Sequence, residues 1–432
     1  MTVDLRIDAL TYGGRGIGRH DGKAVFVPGV APGDLVRCRI VREKKRHAEA
    51  EVDEILESAP GRREPPCPLF GRCGGCQWQH LPYDEQGRWK ERIFFDLLRR
   101  QAGVEEEVLL PLVAAAGEWQ YRSRAQFKCR QTGDGFVMGF YRPGSHFVVD
   151  VPYCAIAAAP LNEALARFRR WLPVSPCPER VPQVDMALDD EGAVRIVVHL
   201  LAGDQRRLAE YLGPRAEKAG YSLFFQSGRK ESLARVTGRE DLHILPQGAE
   251  GPRLAYGPGG FAQINLEQNR RLVAEVLDAA SLTGSERILD LFCGMGNFSL
   301  PLARMAREVV GVEDYAPSIA KARENARRNG LSHADFVARR AEGALRGLAG
   351  KKGFDLVLLD PPRTGAYPVV EELLKARPRR LIYVSCDPPT LARDLEPLLH
   401  NGYRVLRCRP FDLFPQTYHT ESVTLLEWGG PA

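Results

Sequence analysis

Residues 287–299 read RILDLFCGMGNFS: an apolar run, a glycine turn and a helix start. A strand that ends in a glycine turn and feeds a helix belongs to an open α/β sheet, in which ligands bind just beyond the strand tips. Three more apolar runs obey the same rule. Residues 309–312 end in Glu313, residues 354–359 end in Asp360, and residues 381–384 run into Ser385 and Cys386. Their length, apolar content and following breakers predict strands. The glycine turn, Asp360 and Cys386 are therefore expected at one sheet edge.

The turn holds Cys293, Gly294, Gly296 and Asn297, with Ser299 where a dinucleotide fingerprint has its third glycine. Glu313 follows Gly294 by nineteen residues, where an acid bonds ribose hydroxyls. No phosphate-binding lysine follows. An adenosine ligand without a pyrophosphate, S-adenosylmethionine, suits this pattern better than NAD.

Cys386 precedes Asp387, Pro388 and Pro389, which break the strand before a helix start. A lone cysteine at such a tip is more often a buried structural residue than a reactive one. A thiolate there is also well placed to add to an electron-poor carbon. Downstream, FPQTYHTE precedes a final strand over 423–428; Glu421 has the chemistry of a base, and His419 reads as a satisfied loop histidine.

At 432 residues, 44% hydrophobic and 27% charged, the chain predicts two or three soluble domains. The start, MTVDLRIDAL, has no basic-then-apolar leader pattern, and the densest apolar stretch, 108–116, is short and broken by Pro111. A cytoplasmic protein without membrane contact is expected. Its ten cysteines then read as ligands, catalysts or core residues rather than disulfides.

Residues 1–60 alternate short β-rich runs with glycine turns at 13–18, 22 and 32–33, which predicts a five-stranded OB-like barrel. Six basic residues and one acid lie between Arg37 and Arg46, a candidate phosphate-tracking surface. The string GGRGIGRHDGKAVFVPGVAPGD resembles the TRAM domain, an RNA-binding module of tRNA- and rRNA-modifying enzymes.

After a Pro-rich linker over 58–66 come Cys67, Cys73 and Cys76, spaced x5 and x2. Three cysteines within ten residues point to metal; Cys154 is the candidate fourth ligand, and spacing leaves zinc and iron–sulfur level. Residues 81–101 predict an amphipathic helix through Ile93, Phe94, Leu97 and Leu98. In YRSRAQFKCR, Arg122, Arg124, Lys128 and Arg130 fall on one strand face by period two. Unopposed, they would repel each other unless an anion covers them, so phosphate contact is expected beside the plainer reading of a solvated face.

The strings FAQIN, LDLFCGMGNFSLPLA, DPPR, VSCDPPTLARD and FPQTYHTES together resemble the RNA 5-methyluridine methyltransferase family over nearly the whole chain. The resemblance is greatest to the branch that carries a TRAM domain and an iron–sulfur cluster and acts on 23S rRNA. It implies an α/β fold: a Rossmann-like class I S-adenosylmethionine-dependent methyltransferase domain over 258–432. An OB-like TRAM barrel over 1–60 and a mixed α+β middle part over 61–257 precede it, and the helix near 81–101 is free to pack on the catalytic part. It implies Cys386 as nucleophile, Glu421 as base, and Asp360 on the cofactor or the uracil. Gln263, Phe292, Gly294, Asn297, Glu313 and Asp360 are then cofactor contacts, and Cys67, Cys73, Cys76 and Cys154 hold a [4Fe–4S] cluster.

The expected partner is RNA, with the chain acting as a monomer. A tRNA or a second rRNA uridine remains the alternative target. Two positions depart from the family pattern: Asp387 stands where Asn is common, and Arg340 stands where a small polar or acidic residue often holds the adenine. Other classes fit less well. A radical methylthiotransferase uses a first cysteine gap of three, an amino-group methyltransferase needs no cysteine, and a purely RNA-binding module needs neither Cys386 nor Glu421.

Overall fold

The computed structural model describes residues 1–201, 205–348 and 353–430. The first strand, Thr2–Arg6, buries Val3 and Leu5 and exposes the residues between them, the period-two pattern of a barrel wall. The sheet order is Thr2–Arg6, Leu35–Glu43, His47–Glu57, Lys23–Pro28, Arg15–His20 and Ala9–Leu10. The Asp8 amide donates to Ile17 O at 2.8 Å, which extends the pairing of Ala9–Leu10 with Arg15–His20.

Six strands form this barrel, one more than the spacing predicts. Arg15–His20, expected as part of a glycine turn, is a strand. Its glycines serve close approach rather than turning: a Cβ on Gly16 would lie 2.4 Å from Val30, and one on Gly18 would lie 2.3 Å from Arg6 O.

The middle sheet runs Ala234–Thr237, Ser222–Gln226, Val194–His199, Gln183–Leu188, Arg124–Thr132, Gly135–Tyr141 and Val148–Asp150. Helices Ala159–Trp171 and Gln205–Lys218 contribute Phe168 and Leu212 to one core with Phe127, Ile196 and Phe225. In Arg124–Thr132, Ala125, Phe127 and Cys129 face this core, so the polar residues between them face outward.

The C-terminal sheet runs Ala334–Ala338, Glu308–Glu313, Arg287–Leu291, Leu356–Leu359, Arg380–Ser385, Glu421–Trp428 and Tyr403–Phe411. The first five strands are parallel and the last two antiparallel. The strand order reverses between Arg287–Leu291 and Leu356–Leu359, which opens a crevice at their C-terminal ends. One face is packed by Leu272 of helix Leu266–Ala280 and Ile319 of helix Ala316–Arg328. The other is packed by Val369 of Tyr367–Ala376 and Leu391 of Pro388–His400.

Helix Tyr83–Ala102 lies on that second face through Phe94 and Leu98, four residues apart and fully buried. Acids open this helix, arginines close it, and Gly103 ends it in a left-handed conformation at φ 67°. Among the described residues no helix is long and apolar enough to cross a membrane.

Candidate active site

The sheet register brings the proposed nucleophile and base together. Pairing runs antiparallel from Arg380 opposite Glu427 to Ser385 opposite Ser422, so Cys386 and Glu421 are the next positions on the two strands. Asp360 follows the neighbouring strand tip, and its amide donates to Leu291 O at 3.3 Å. Phe292 leaves Arg287–Leu291 at φ 68°, a left-handed turn rarely adopted outside glycine. The Cys293 amide then donates to Val312 O at 3.0 Å, which pins the glycine turn to the strand that ends in Glu313.

Acid crowds this edge. Glu421 is 1% exposed, and burial with the nearby Asp360 pushes its carboxyl well above the carboxylate range; only Arg363 opposes them. Burial and Glu313 push Asp360 up to about 7, and burial pushes Asp290, beneath the glycine turn, up to about 8. The Cys386 thiol is pushed up to about 12 by burial, Glu421 and Asp360, against the pull of Arg363. A compact cation is the ligand charge that such a pocket favours, because it stabilises all of these anions at once.

The other expected contacts fall around the same crevice. Gln263 is buried in a loop tied to the middle part by Ser123, whose amide donates to Ile264 O at 2.7 Å. The Asn297 amide pairs reciprocally with Asn269 at 2.9 and 3.0 Å, so its side chain braces the helix Leu266–Ala280. Glu313 accepts the Tyr315 amide at 3.0 Å. Arg340 points to solvent, 78% exposed, and pairs with Glu342.

Asp387 caps the helix Pro388–His400 by accepting the Thr390 amide at 3.1 Å, and its other oxygen accepts Tyr12 Oη at 2.5 Å. His419 is held neutral, pushed down to about 4 by burial and Arg363, with its ring on Tyr418.

Sequence patterns miss the groups that hold the base loop. Gln416 is fully buried at φ 69°, and its carbonyl accepts the Gln77 and Trp78 amides at 2.9 and 3.0 Å. Its amide donates to Gln86 Oε1 at 2.9 Å, and its side-chain nitrogen donates to Glu118 at 2.7 Å. Lys90 and Asp412 form a fully buried ion pair at 2.6 Å. Lys90 lies four residues before Phe94, on the apolar face of its helix, but that spacing alone does not separate a buried lysine from a solvated one.

Cys67, Cys73, Cys76 and Cys154 line one cavity with apolar walls that include Leu69, Phe140 and Ile156. Cys67, Cys73, Cys76 and Cys154 are free of disulfides. Burial pushes the Cys73 thiol up to about 11 and the Cys76 thiol up to about 12. The Gly75 amide donates to Cys73 Sγ at 3.4 Å, and the Ile156 and Ala157 amides oppose the rise at Cys154. Four thiols lining one apolar pocket, with amide donors beside them, are a donor set suited to a thiolate metal group.

The four expected RNA cations are divided. Arg122 lines the cysteine cavity and its Nε is buried without a hydrogen-bond partner among the described residues. Arg124 donates to Gly260 O at 3.3 Å. Lys128 bonds Gln183 and lies 5.5 Å over the Tyr141 ring, and Arg130 is exposed.

A parallel sheet with this order, a glycine turn after its first strand and an acid after its second defines a class I methyltransferase fold. The chain belongs to the tRNA (uracil-5-)-methyltransferase family, which it matches over residues 106–428, and residues 1–52 match the TRAM domain. It is 39% identical to the 23S rRNA (uracil(1939)-C(5))-methyltransferase RlmD of Alkalilimnicola ehrlichii, over 98% of this chain and 96% of that protein. The protein of the same name from Aeromonas hydrophila is 36% identical over the same shares. Among solved structures, the Pyrococcus abyssi tRNA (uracil-54, C5)-methyltransferase in complex with S-adenosyl-L-homocysteine superposes with a TM-score of 0.76. It is 26% identical and covers 98% of this chain and 100% of that one.

Proposed function

We propose that the chain methylates C5 of one uridine in 23S rRNA, with S-adenosylmethionine as donor, through a covalent bond between Cys386 and C6 of the uracil. The observation that carries this reading is the placement of Cys386 and Glu421 at adjacent strand ends, beside Asp360 and the glycine turn. The rRNA target rests on the 39% identity to an rRNA enzyme over almost the whole chain, against 26% to the tRNA enzyme.

Uracil C5 is a weak nucleophile. Addition of the Cys386 thiolate to C6 turns the ring into an enolate, which makes C5 nucleophilic. S-adenosylmethionine supplies an electrophilic methyl group on a sulfonium cation. Its positive charge also suits a crevice lined by Asp290, Glu313, Asp360 and Glu421, and so favours ionisation of the thiol. Gln263, Phe292, Gly294, Asn297, Glu313 and Asp360 are the residues that would hold the donor. After transfer, C5 carries both methyl and hydrogen. Glu421 removes that hydrogen, and Cys386 leaves by β-elimination. The target base must leave its stack to reach a thiol this recessed, so a loop or single-stranded segment is the substrate.

The four-cysteine pocket holds a [4Fe–4S] cluster, and the barrel, Lys128 and Arg130 track phosphates, with Arg122 and Arg124 acting closer to the pocket. The enzyme works in the cytoplasm, where rRNA is made, as a monomer. The division into 1–60, 61–257 and 258–432 follows these three roles. The test is mass mapping of 5-methyluridine in rRNA and tRNA from a strain lacking the gene, complemented with the native chain or with Cys386→Ala. Loss of one rRNA methyl, restored only by the native chain, is expected; a loss confined to tRNA would transfer the target to the alternative.

A further inference from the structure

The barrel turn at Thr11–Gly14 reaches the catalytic edge. It is closed by the Gly14 amide donating to Thr11 O at 3.1 Å. From it Tyr12 spans 375 positions of sequence to place its hydroxyl 2.5 Å from Asp387 Oδ2. The Tyr12 ring stands edge-on to Tyr418 with centroids 5.4 Å apart, and a Cβ on Gly14 would lie 3.0 Å from the same Tyr418. Trp78 Nε1 donates to Gly14 O at 3.2 Å. The turn therefore touches the segment that bears Cys386 and the segment that bears Glu421.

Resting on the reading of Cys386 as nucleophile, we infer that Tyr12 is a positioning residue for it: its hydroxyl fixes the Asp387 carboxylate on the barrel side, so that barrel and catalytic domain complete one active site. The charge arrangement explains why this matters. Cys386 is faced by Glu421 and Asp360 from neighbouring strand ends, by Arg363 from the loop after Asp360, and by Asp387 from its own segment. Three carboxyls oppose one guanidinium, so the charge that each carboxyl presents to the thiol bears on how readily it ionises. Asp387 has both oxygens engaged, one by the Thr390 amide and one by Tyr12. The Tyr12 phenol, lifted far above its ordinary range by burial and Asp387, stays a donor at every working pH. A charge-assisted O–H···O⁻ bond of this length withdraws charge from the carboxylate and locks its rotamer. Without it, a full negative charge is free to swing towards the thiol.

The test uses the purified full chain and reads Cys386 itself. Alkylation by iodoacetamide without RNA is followed at several pH values, with Cys386 resolved by peptide mass spectrometry. Tyr12→Phe keeps the ring on Tyr418 and removes only the hydroxyl. It should slow alkylation at pH 9 about threefold or more, the effect of a half-unit rise in thiol pKa. Adding Asp387→Asn, which keeps the helix cap but removes the charge, should restore the native rate. Melting temperature should stay unchanged in both variants. A Tyr12→Phe profile that coincides with the native one overturns the inference, as does a slowing that Asp387→Asn fails to relieve. Methylation of rRNA is measured in parallel. A native chain that alkylates as stated but transfers no methyl defeats the function reading and leaves the inference standing; a native chain that methylates while the two profiles coincide defeats the inference alone.

Discussion

Replacing Glu421 with Gln keeps the shape of the side chain and removes its basicity. If Cys386 acts before methyl transfer and Glu421 after it, Glu421→Gln completes addition and methylation and then stalls. A protease-sensitive, slow-migrating RNA band should accumulate on a denaturing gel with labelled RNA and S-adenosylmethionine. Cys386→Ala should give neither turnover nor band. Normal turnover by Glu421→Gln removes it from the role of base, and C5 methylation by Cys386→Ala removes the covalent route altogether. Asp290 gives a second residue-level test. Burial lifts this carboxyl from 3.8 to about 8, with Ser299 bonded to one oxygen and the other unpartnered among the described residues. The native state keeps its proton up to that pH, whereas the unfolded chain releases it near 4. Stability from this group is therefore full below about pH 4 and declines as pH rises towards 8. Calorimetry of the ligand-free protein should show a melting temperature that falls between pH 5 and 8, and Asp290→Asn should flatten that slope.

Among elements, strand Leu35–Glu43 shows how neighbours spend a charge run. Arg37 pairs with Asp4 and Glu54, and Arg39 with Glu51 and Asp53, all from adjoining strands. Arg42, Lys44, Lys45 and Arg46, at the hairpin tip, are in no ion pair among the described residues. Exposed ion pairs contribute little to stability, and paired cations have less charge to offer phosphate. Lys44→Ala with Lys45→Ala should weaken RNA binding and reduce its salt slope by about 0.7–0.9 per lost phosphate contact. Arg39→Ala should leave the slope close to native; equal effects from both sets would make the whole strand the contact. The strand Arg124–Thr132 divides in the same way, because Arg124 and Lys128 have partners and Arg130 is exposed, with no side-chain hydrogen bond or ion pair among the described residues.

Across the whole molecule, the cysteine loop and the base loop are continuous. The amides of Gln77 and Trp78, directly after Cys76, close on the carbonyl of Gln416, five residues before Glu421. A group that orders the loop therefore acts on the catalytic edge as well as on the middle part. Anaerobically purified protein should be brown with about four irons per chain; stoichiometric zinc without visible absorbance would refute the cluster. Cys154→Ser should lower solubility and RNA binding and, through Gln416, also slow methyl transfer. A variant that binds RNA weakly yet transfers at the native single-turnover rate would confine the pocket to a scaffolding role.

The apolar runs, the glycine turn and the breakers after Glu313, Asp360 and Cys386 were enough to define a parallel sheet with its chemistry on one edge. This is so because strand periodicity and turn residues are local properties. Residue strings likewise singled out Cys386, Glu421 and the four cysteines as candidates, and the fold places the first two in one crevice and the four in one pocket. Local patterns misread Arg15–His20, because Gly16 and Gly18 signal a turn until another strand is pressed against them. Period two likewise put Arg122 with Arg124, Lys128 and Arg130, yet Arg122 precedes the strand and turns into the cysteine cavity. Tyr12 on Asp387, Lys90 on Asp412 and Gln86 on Gln416 join positions more than three hundred residues apart. No sequence window contains both partners of such a contact, so only the packing of barrel, helix and sheet against one another could decide it.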